Sequence, residues 1–111
     1  MKLNYLIKFV GDMERAVKFY RDTLGLPLKC ESPGWSEFTT GETTLALHPA
    51  SKKNPPGTLE LGFMVPDLQN FYEEMKAKGM QFSMPPTKQD FGGLLAQFVD
   101  SEGAHCSVAG Q

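Results

Sequence analysis

The chain has 111 residues, 41% of them hydrophobic, and a formal charge of -2, as expected for one globular domain. This balance argues against a nucleic-acid-binding surface, which needs clustered Lys and Arg, and no window approaches the roughly 18 apolar residues of a membrane span. The first residues lack the apolar stretch of a signal peptide. We therefore expect a cytoplasmic protein with no nucleic-acid or membrane partner. Because so short a chain leaves much surface exposed, we also expect a homodimer.

The first predicted elements are a strand and a helix. An extended apolar segment runs from Leu3 to Val10 and is followed by Asp12, which can accept from the free N–H groups of a helix's first turn and is predicted as its N-cap. Apolar residues then recur every three or four positions, the spacing of a helix that packs one stripe on a sheet: Met13, Ala16, Val17, Tyr20 and Leu24. Gly25 is predicted to end this helix.

Three short strands are predicted after this glycine, near 27–32, 35–40 and 43–48. The turns between them fall at Ser32-Pro33-Gly34 and at Thr40-Gly41-Glu42, where turn-forming residues cluster. The following segment, 49–57, is rich in Pro, Lys and Gly and is predicted to be a linker.

The same order of elements then recurs. An extended segment from Leu59 to Val65 precedes a second N-cap aspartate, Asp67, and a second apolar stripe that ends at Gly79. The stripe consists of Leu68, Phe71, Tyr72 and Met75. Three strands are predicted near 80–84, 93–99 and 104–109, with breaks at 85–93 and 100–103. The sequence therefore predicts two βαβββ modules, 1–48 and 58–111, joined by the linker 49–57 within a single domain 1–111.

Two cysteines, Cys30 and Cys106, occur without the close spacing of a metal-binding motif. In the cytoplasm both thiols should be reduced. We expect both side chains to act as small hydrophobic groups in the core.

Several short motifs carry a family resemblance: Val10-Gly11-Asp12, Phe19-Tyr20, Leu24-Gly25-Leu26 and the closing segment Phe98 to Gly103. They resemble the vicinal oxygen chelate superfamily, which includes glyoxalase I, the bleomycin-resistance proteins and the extradiol dioxygenases. In the closing segment, Ser101 and Glu102 replace the Pro and Asp of that superfamily's F-x-D-P-D-G motif. The resemblance implies an α+β fold in which two βαβββ modules form curved mixed sheets around a concave cavity, within one chain or between two.

In the metal-dependent members of that superfamily, His or Glu ligands occupy the first and last strands of each module. The resemblance places these four positions at Tyr5, Ala46, Glu60 and Ser107. Only Glu60 is a competent ligand, because alanine has no ligating atom and neutral hydroxyls are poor substitutes for imidazole and carboxylate. A catalytic metal needs about three protein ligands. The usual metal centre is therefore predicted to be absent, with no cofactor implied.

The metal site could instead be relocated. Side chains two apart on a strand share a face, so His48 would share the face of Ala46, and His105 that of Ser107. Together with Glu60 they could bind a metal or supply an acid–base pair. The alternative is that both histidines are hydrogen-bonded surface groups near strand ends and that Glu60 is an edge-strand charge that reaches water.

Aromatic side chains suggest a ligand. Trp35 follows a Pro-Gly turn and would share a strand face with Glu37, while Phe91 precedes Gly92-Gly93 in a loop, 85–93, that resembles the segment closing over ligands in the superfamily. Flat aromatic walls beside a carboxylate suit a planar or cationic organic molecule.

Two functional classes stay open from the sequence. The favoured one is a metal-independent small-molecule-binding protein similar to the bleomycin-resistance proteins, which sequesters an aromatic or cationic compound. Its expected lining is Tyr5, Trp35, His48, Glu60, Phe91, His105 and Ser107. The alternative is a lyase, isomerase or dioxygenase of the glyoxalase type with a metal held by His48, Glu60 and His105. A purely structural or interaction role is a third possibility.

Overall fold

The computed structural model describes residues 1–90 and 92–111 and contains two helices and eight strands in those ranges. The elements are β1 (Lys2–Val10), α1 (Met13–Lys18), a π-helical turn (Phe19–Thr23), β2 (Leu28–Cys30), β3 (Ser36–Thr39), β4 (Thr44–Pro49), β5 (Leu59–Met64), α2 (Leu68–Ala77), β6 (Phe82–Lys88), β7 (Leu94–Val99) and β8 (His105–Gly110). The predicted order βαβββ thus occurs twice, and the α+β fold class is confirmed. Neither helix in the described ranges is long and apolar enough to cross a membrane.

The chain divides into two compact units, an N-terminal unit, Asn4–Leu59, and a C-terminal unit, Glu60–Gln111 together with Met1–Leu3. In the N-terminal unit the strand order is β2-β3-β4-β1, with β1 and β4 parallel and the other pairs antiparallel. Helix α1 packs on one face of this mixed sheet, where Val17, Phe38 and Leu47 are fully buried. The opposite face, beyond the reach of α1, carries Ile7 and Ala46.

Both predicted N-caps are confirmed. The Asp12 carboxylate accepts from the Arg15 N–H at 3.1 Å, and the Asp67 carboxylate accepts from the Asn70 N–H at 3.1 Å. Gly25 and Gly79, at the ends of the two helical segments, have φ values of 84° and 92°, a conformation that favours glycine.

The apolar stripe of the first helix is shorter than predicted. After Lys18 the Leu24 N–H donates to the Phe19 carbonyl oxygen at 2.9 Å, five residues back, which makes this segment a wider π-helical turn. Because the wider turn rotates the later side chains about the helix axis, Leu24 leaves the stripe and is 57% exposed. The predicted packing role of Leu24 is therefore wrong.

The C-terminal unit repeats the plan of the first, with strand order β5-β8-β7-β6 and a parallel pair, β5 and β8. Helix α2 buries Leu68 and Phe71 against Phe98 and Val108. Gly110 lies beneath the start of this helix, where an added Cβ would be 2.6 Å from the Val65 carbonyl oxygen.

The predicted break at 85–93 is wrong in its first half. Strand β6 continues through Pro85 and Pro86 to Lys88. It is an edge strand of its sheet, where a residue without an N–H is tolerated, and its register with β7 shifts between Met84 and Thr87. The connection to β7 is correspondingly shorter, and Phe91, the aromatic residue predicted in it, lies outside the described residues.

The two cysteines differ in environment. Cys106 is buried in the core beneath α2, and burial raises the pKa of its thiol, with the Asp100 and Glu60 carboxylates acting in the same direction. Cys30 is exposed at the end of the short edge strand β2. The expectation that both are core residues is therefore wrong for Cys30, which ends an edge strand whose register with β3 shifts after Leu28.

Gly110→Ala is expected to destabilise the protein by about 1–3 kcal/mol, because the new methyl group must displace the Val65 backbone or the Leu68 side chain. The matched control is Gly34→Ala, in an exposed turn where an added Cβ meets no atom within 4 Å, with an expected change within about 0.5 kcal/mol. Urea denaturation measures both. Equal losses in the two variants would contradict the close packing at Gly110.

Ellman's reagent should react with the native protein in two phases. The exposed Cys30 thiol reacts first, and Cys106 reacts at least about tenfold more slowly, because its thiol is protonated and must first be uncovered by local opening. Cys30→Ser should remove the fast phase alone. Two equally fast thiols in the wild-type protein would show that Cys106 is not buried in solution.

Candidate functional site

An aromatic patch covers the face of the N-terminal sheet opposite α1. We define it as Tyr5, Phe9, Trp35, Glu37 and His48. Its rings meet edge to face, with centroids 5.9 Å apart for Tyr5 and Trp35, 6.3 Å for Trp35 and His48 and 5.6 Å for Phe9 and His48. Edge-to-face pairs are favoured by the charge distribution of aromatic rings, so the patch is a packed arrangement.

The strands explain why these side chains meet. Tyr5 and Phe9 alternate with helix-facing residues on β1, and His48 is two residues after Ala46 on the adjacent, parallel strand β4. Residues two apart on a strand share a face, and Phe9 is the register partner of His48. The predicted sharing of a face by Ala46 and His48 is confirmed.

Trp35 is held by the turn before β3. The Ser32 hydroxyl donates to the Trp35 carbonyl oxygen at 2.8 Å and accepts from the Trp35 N–H at 3.1 Å. The Ser32 N–H also donates to that carbonyl oxygen, at 3.0 Å. These hydrogen bonds between Ser32 and the Trp35 backbone fix the turn and therefore the position of the indole ring.

Glu37 is the charged member of the patch. Its Oε2 accepts from the Trp35 indole Nε1–H at 2.7 Å, and its Oε1 lies 3.6 Å from the Lys29 ammonium. The Glu37 side chain is only 13% exposed, whereas that of Lys29 is 63% exposed. A carboxylate withdrawn from water needs such donors to offset its desolvation.

The pKa of the Tyr5 phenol depends on these charges. Burial raises the pKa of the Tyr5 phenol above its ordinary value, the Glu37 carboxylate raises it further, and the Lys29 ammonium opposes them. Tyr5 therefore stays a neutral phenol at physiological pH and presents a hydroxyl group, which can donate or accept a hydrogen bond.

His48 is exposed at the end of β4. Its Nδ1 lies 2.9 Å from the Pro49 carbonyl oxygen. A carbonyl oxygen only accepts hydrogen bonds, so Nδ1 carries the hydrogen and Nε2 of the neutral ring is an acceptor.

The C-terminal unit has a separate polar set on its own helix-free face. The Ser107 hydroxyl donates to Glu60 Oε2, and Gln97 is the register partner of Ser107 on β7. Ser107 is buried and Glu60 is half-buried. The Glu60 carboxylate thus has a hydrogen-bond partner, Ser107, that neither prediction for it included.

His105 is two residues before Ser107 on β8 and pairs with a different hydroxyl. Its Nδ1 lies 3.1 Å from the Ser83 Oγ on the edge strand β6. The pairing orients the imidazole ring, and Ser83 is exposed.

The donor set does not fit the metal centre of the metal-dependent members of the superfamily that the sequence resembles. Of the four positions, Ala46 is fully buried among Ile7 and Phe9 and offers no ligating atom. Ser107 is a neutral hydroxyl already bonded to Glu60. Within residues 1–90 and 92–111, no three His, Cys, Asp or Glu side chains are grouped so as to hold a metal ion. The trio His48, Glu60 and His105 is drawn from both units of the chain, and the relocated metal site stays a prediction from the sequence.

A groove elsewhere in the N-terminal unit is less suited to a specific ligand. A groove of about 550 Å³ lies along α1, with exposed side chains of both charges. It is lined by Asp12, Glu14, Arg15, Val17, Lys18, Arg21 and Glu31. Exposed charges of mixed sign are satisfied by water and by one another, in contrast to the sheltered carboxylate of Glu37.

The structure thus brings Tyr5, Trp35 and His48 together in one unit, and Glu60 and Ser107 in the other. The sequence predicts that Glu37 shares the strand face of Trp35, but Glu37 is not among the predicted site residues. Lys29 and Ser83 are not among them either. The alternation along β3 could have identified Glu37 as a member. Lys29 had no sequence signal, because its approach depends on the irregular pairing of β2 with β3.

The sequence and the fold both have known relatives. The profile of the Glyoxalase/Bleomycin resistance protein/Dioxygenase superfamily matches residues 2–106. The uncharacterized protein YurT of Bacillus subtilis (strain 168) is 31% identical over 105 residues, covering 79% of this chain and 83% of that protein.

Two solved structures show the fold. The hypothetical protein BH1468 of Bacillus halodurans C-125 superposes with a TM-score of 0.80 at 20% identity, over 99% of this chain and 94% of that one. A methylmalonyl-CoA epimerase of Streptomyces coelicolor superposes with a TM-score of 0.77 at 15% identity, over 100% and 94% of the two chains. With its profile match spanning nearly the whole chain, this protein belongs to the Glyoxalase/Bleomycin resistance protein/Dioxygenase superfamily.

Proposed function

We propose that this protein is a metal-independent small-molecule-binding protein, similar to the bleomycin-resistance branch of its superfamily, which sequesters an aromatic or cationic compound. The observation that carries the proposal is the hydrogen bond between the Trp35 indole and the Glu37 carboxylate. It fixes a flat aromatic wall beside a sheltered negative charge, on a sheet face that the helix leaves uncovered.

The energetics of the patch favour such a ligand. Stacking on an aromatic side chain contributes about 0.5–1.5 kcal/mol beyond the area that it buries. A desolvated cation over an aromatic ring gains about 2 kcal/mol. Tyr5, Trp35 and His48 offer several rings within one patch, and their edge-to-face packing limits the conformational entropy lost on binding.

The C-terminal unit offers further predicted ligand-binding groups on its own sheet. Glu60 and Ser107 supply a carboxylate and a hydroxyl, and His105 an imidazole held by Ser83. Phe91 stays a prediction from the sequence. So do the homodimer and the cytoplasmic location.

An enzymatic function is the second candidate, and one observation favours it. The half-buried Glu60 carboxylate has one oxygen fixed by Ser107, the arrangement of a positioned proton acceptor. A structural neighbour of this chain is an epimerase. In this candidate an isomerase or lyase would use Glu60 as its base without the superfamily's usual metal.

We expect planar aromatic probes to bind at the patch, and the single tryptophan of the chain makes the test specific. In a ¹H–¹⁵N correlation spectrum the Trp35 indole N–H gives one side-chain resonance, which should shift saturably on addition of 2-naphthol or the cationic dye proflavine. Calorimetry should show that Trp35→Ala weakens binding about tenfold or more, since aromatic anchors carry much of the affinity at such sites.

The matched control is Phe19→Ala, which removes an exposed aromatic side chain outside the patch and should leave the affinity unchanged. Binding should persist in EDTA. Loss of binding in EDTA, with about one transition metal per chain by elemental analysis, would contradict metal independence. Absence of any indole shift with both probes would contradict the binding function. Recovery of a chemically converted compound, dependent on Glu60 in a Glu60→Gln comparison, would favour the enzyme instead.

A further inference from the structure

We propose that the aromatic patch selects planar ligands that carry a cationic group, with Glu37 as the residue that pairs with this group and Lys29 as an internal cation that the ligand replaces. This inference rests on the proposed binding function and goes beyond it by naming the ligand's charge and the two residues that decide it.

The first step is the state of the Glu37 carboxylate. One oxygen, Oε2, is occupied by the Trp35 indole N–H at 2.7 Å, so the orientation of the group is fixed. The other oxygen, Oε1, faces Lys29 Nζ at 3.6 Å, which is longer than a good N–H···O hydrogen bond. Because a carboxylate has room for several donors, Oε1 has hydrogen-bonding capacity that Lys29 uses incompletely.

The second step is the weakness of the resident ion pair. The Lys29 side chain is 63% exposed and lies on the three-residue edge strand β2. Water and salt screen an ion pair whose cation is exposed, and the long side chain loses entropy in forming it; the 3.6 Å separation also provides no short hydrogen bond. The ammonium of Lys29 can therefore move into water when another cation takes its place beside the sheltered Glu37 carboxylate.

The third step is the advantage that a ligand cation has over Lys29. An amidinium or guanidinium group is planar, and its donors form short, charge-assisted hydrogen bonds with a carboxylate. When such a group is joined to an aromatic ring, the ring contacts Trp35 and Tyr5 while the cation reaches Glu37. A free ammonium ion lacks the ring and a neutral aromatic compound lacks the charge, so the combination is selected.

Tyr5 provides a readout of the same charges without any ligand. The Glu37 carboxylate raises the pKa of the Tyr5 phenol and Lys29 lowers it. Lys29→Met should therefore raise the pKa of Tyr5, and Glu37→Gln should lower it. Ultraviolet titration of the tyrosinate band, with Tyr5→Phe to identify the Tyr5 component, measures both shifts. A Tyr5 component that moves in neither variant would overturn the pairing of Lys29 with Glu37.

The binding test uses three probes with one ring and different charge: benzamidine as the cation, benzamide as the neutral compound and benzoate as the anion. The Trp35 indole resonance reports each titration. Benzamidinium should bind about fivefold or more tightly than benzamide, equivalent to about 1 kcal/mol, and benzoate should bind most weakly. In Glu37→Gln, whose side-chain oxygen can still accept from the indole, the ratio of cation to neutral affinity should fall to about one.

Lys29→Met is a surface substitution and should tighten benzamidinium binding about two- to fivefold, the range expected for removal of a weak competing ion pair. The matched controls are Glu73→Gln and Lys52→Met, exposed residues of α2 and of the linker, which should change neither the ratio nor the affinity.

Equal affinity for benzamidinium and benzamide, or a preference for benzoate, would overturn this inference and leave the binding function standing. Weaker benzamidinium binding in Lys29→Met would overturn the assignment of Lys29 as a competitor. Absence of an indole shift with all three probes, and also with 2-naphthol and proflavine, would overturn the inference and the proposed function together.

Discussion

The parallel pairing of the first and last strands in each βαβββ unit is the constraint from which the candidate site follows. A parallel connection needs a crossover, and here the helix supplies it and covers one face of each sheet. The strand alternation then sends every second residue to the uncovered face. Because β1 and β4 are adjacent and in register, Tyr5 and Phe9 lie near Ala46 and His48 without any loop to position them. Tyr5, Phe9 and His48 are therefore held by rigid strands, the arrangement that positions binding groups most precisely, whereas Trp35 depends on the Ser32 turn.

Sheltered carboxylates impose a second constraint on these uncovered faces. Removing a charged group from water is costly unless donors meet it, and both half-buried glutamates meet this demand within their own unit. Glu37 is met by an indole N–H and a nearby ammonium, Glu60 by the Ser107 hydroxyl. The two solutions differ in chemistry. An indole donor is itself a flat surface, whereas a hydroxyl leaves the carboxylate beside a small polar group. This contrast supports the proposal of planar ligands for the N-terminal unit.

The sequence predicted the fold well because local signals and the repeat agreed. Asp12 and Asp67 were identifiable as caps, and their equivalent places in the two halves of the chain indicated two similar modules. The sequence failed where a tertiary setting overrode a local rule. Pro85 and Pro86 read as a break but lie in an edge strand, where no neighbour requires their missing N–H groups. The spacing of Leu24 predicted that it packs on the sheet, but the π-helical turn rotates its side chain outward. At the site, the alternation of side chains along the strands predicted the positions of Trp35 and His48. The approach of Lys29, on β2, to Glu37 could not be derived from spacing alone.

The replacement of ligands in the family's metal positions changes the kind of selectivity that the fold can have. A metal centre discriminates by coordination and can polarise an oxygen atom as a Lewis acid. Ala46 is fully buried and has no coordinating atom. At this position the N-terminal sheet therefore presents an apolar surface next to the aromatic rings. In the proposed binding function, selectivity depends on shape, stacking and one oriented charge, which distinguish ligands by planarity and sign. The proposal of sequestration is supported by the alanine at position 46, which cannot coordinate a metal, and by the Trp35–Glu37 pair, which can hold a ligand in its ground state.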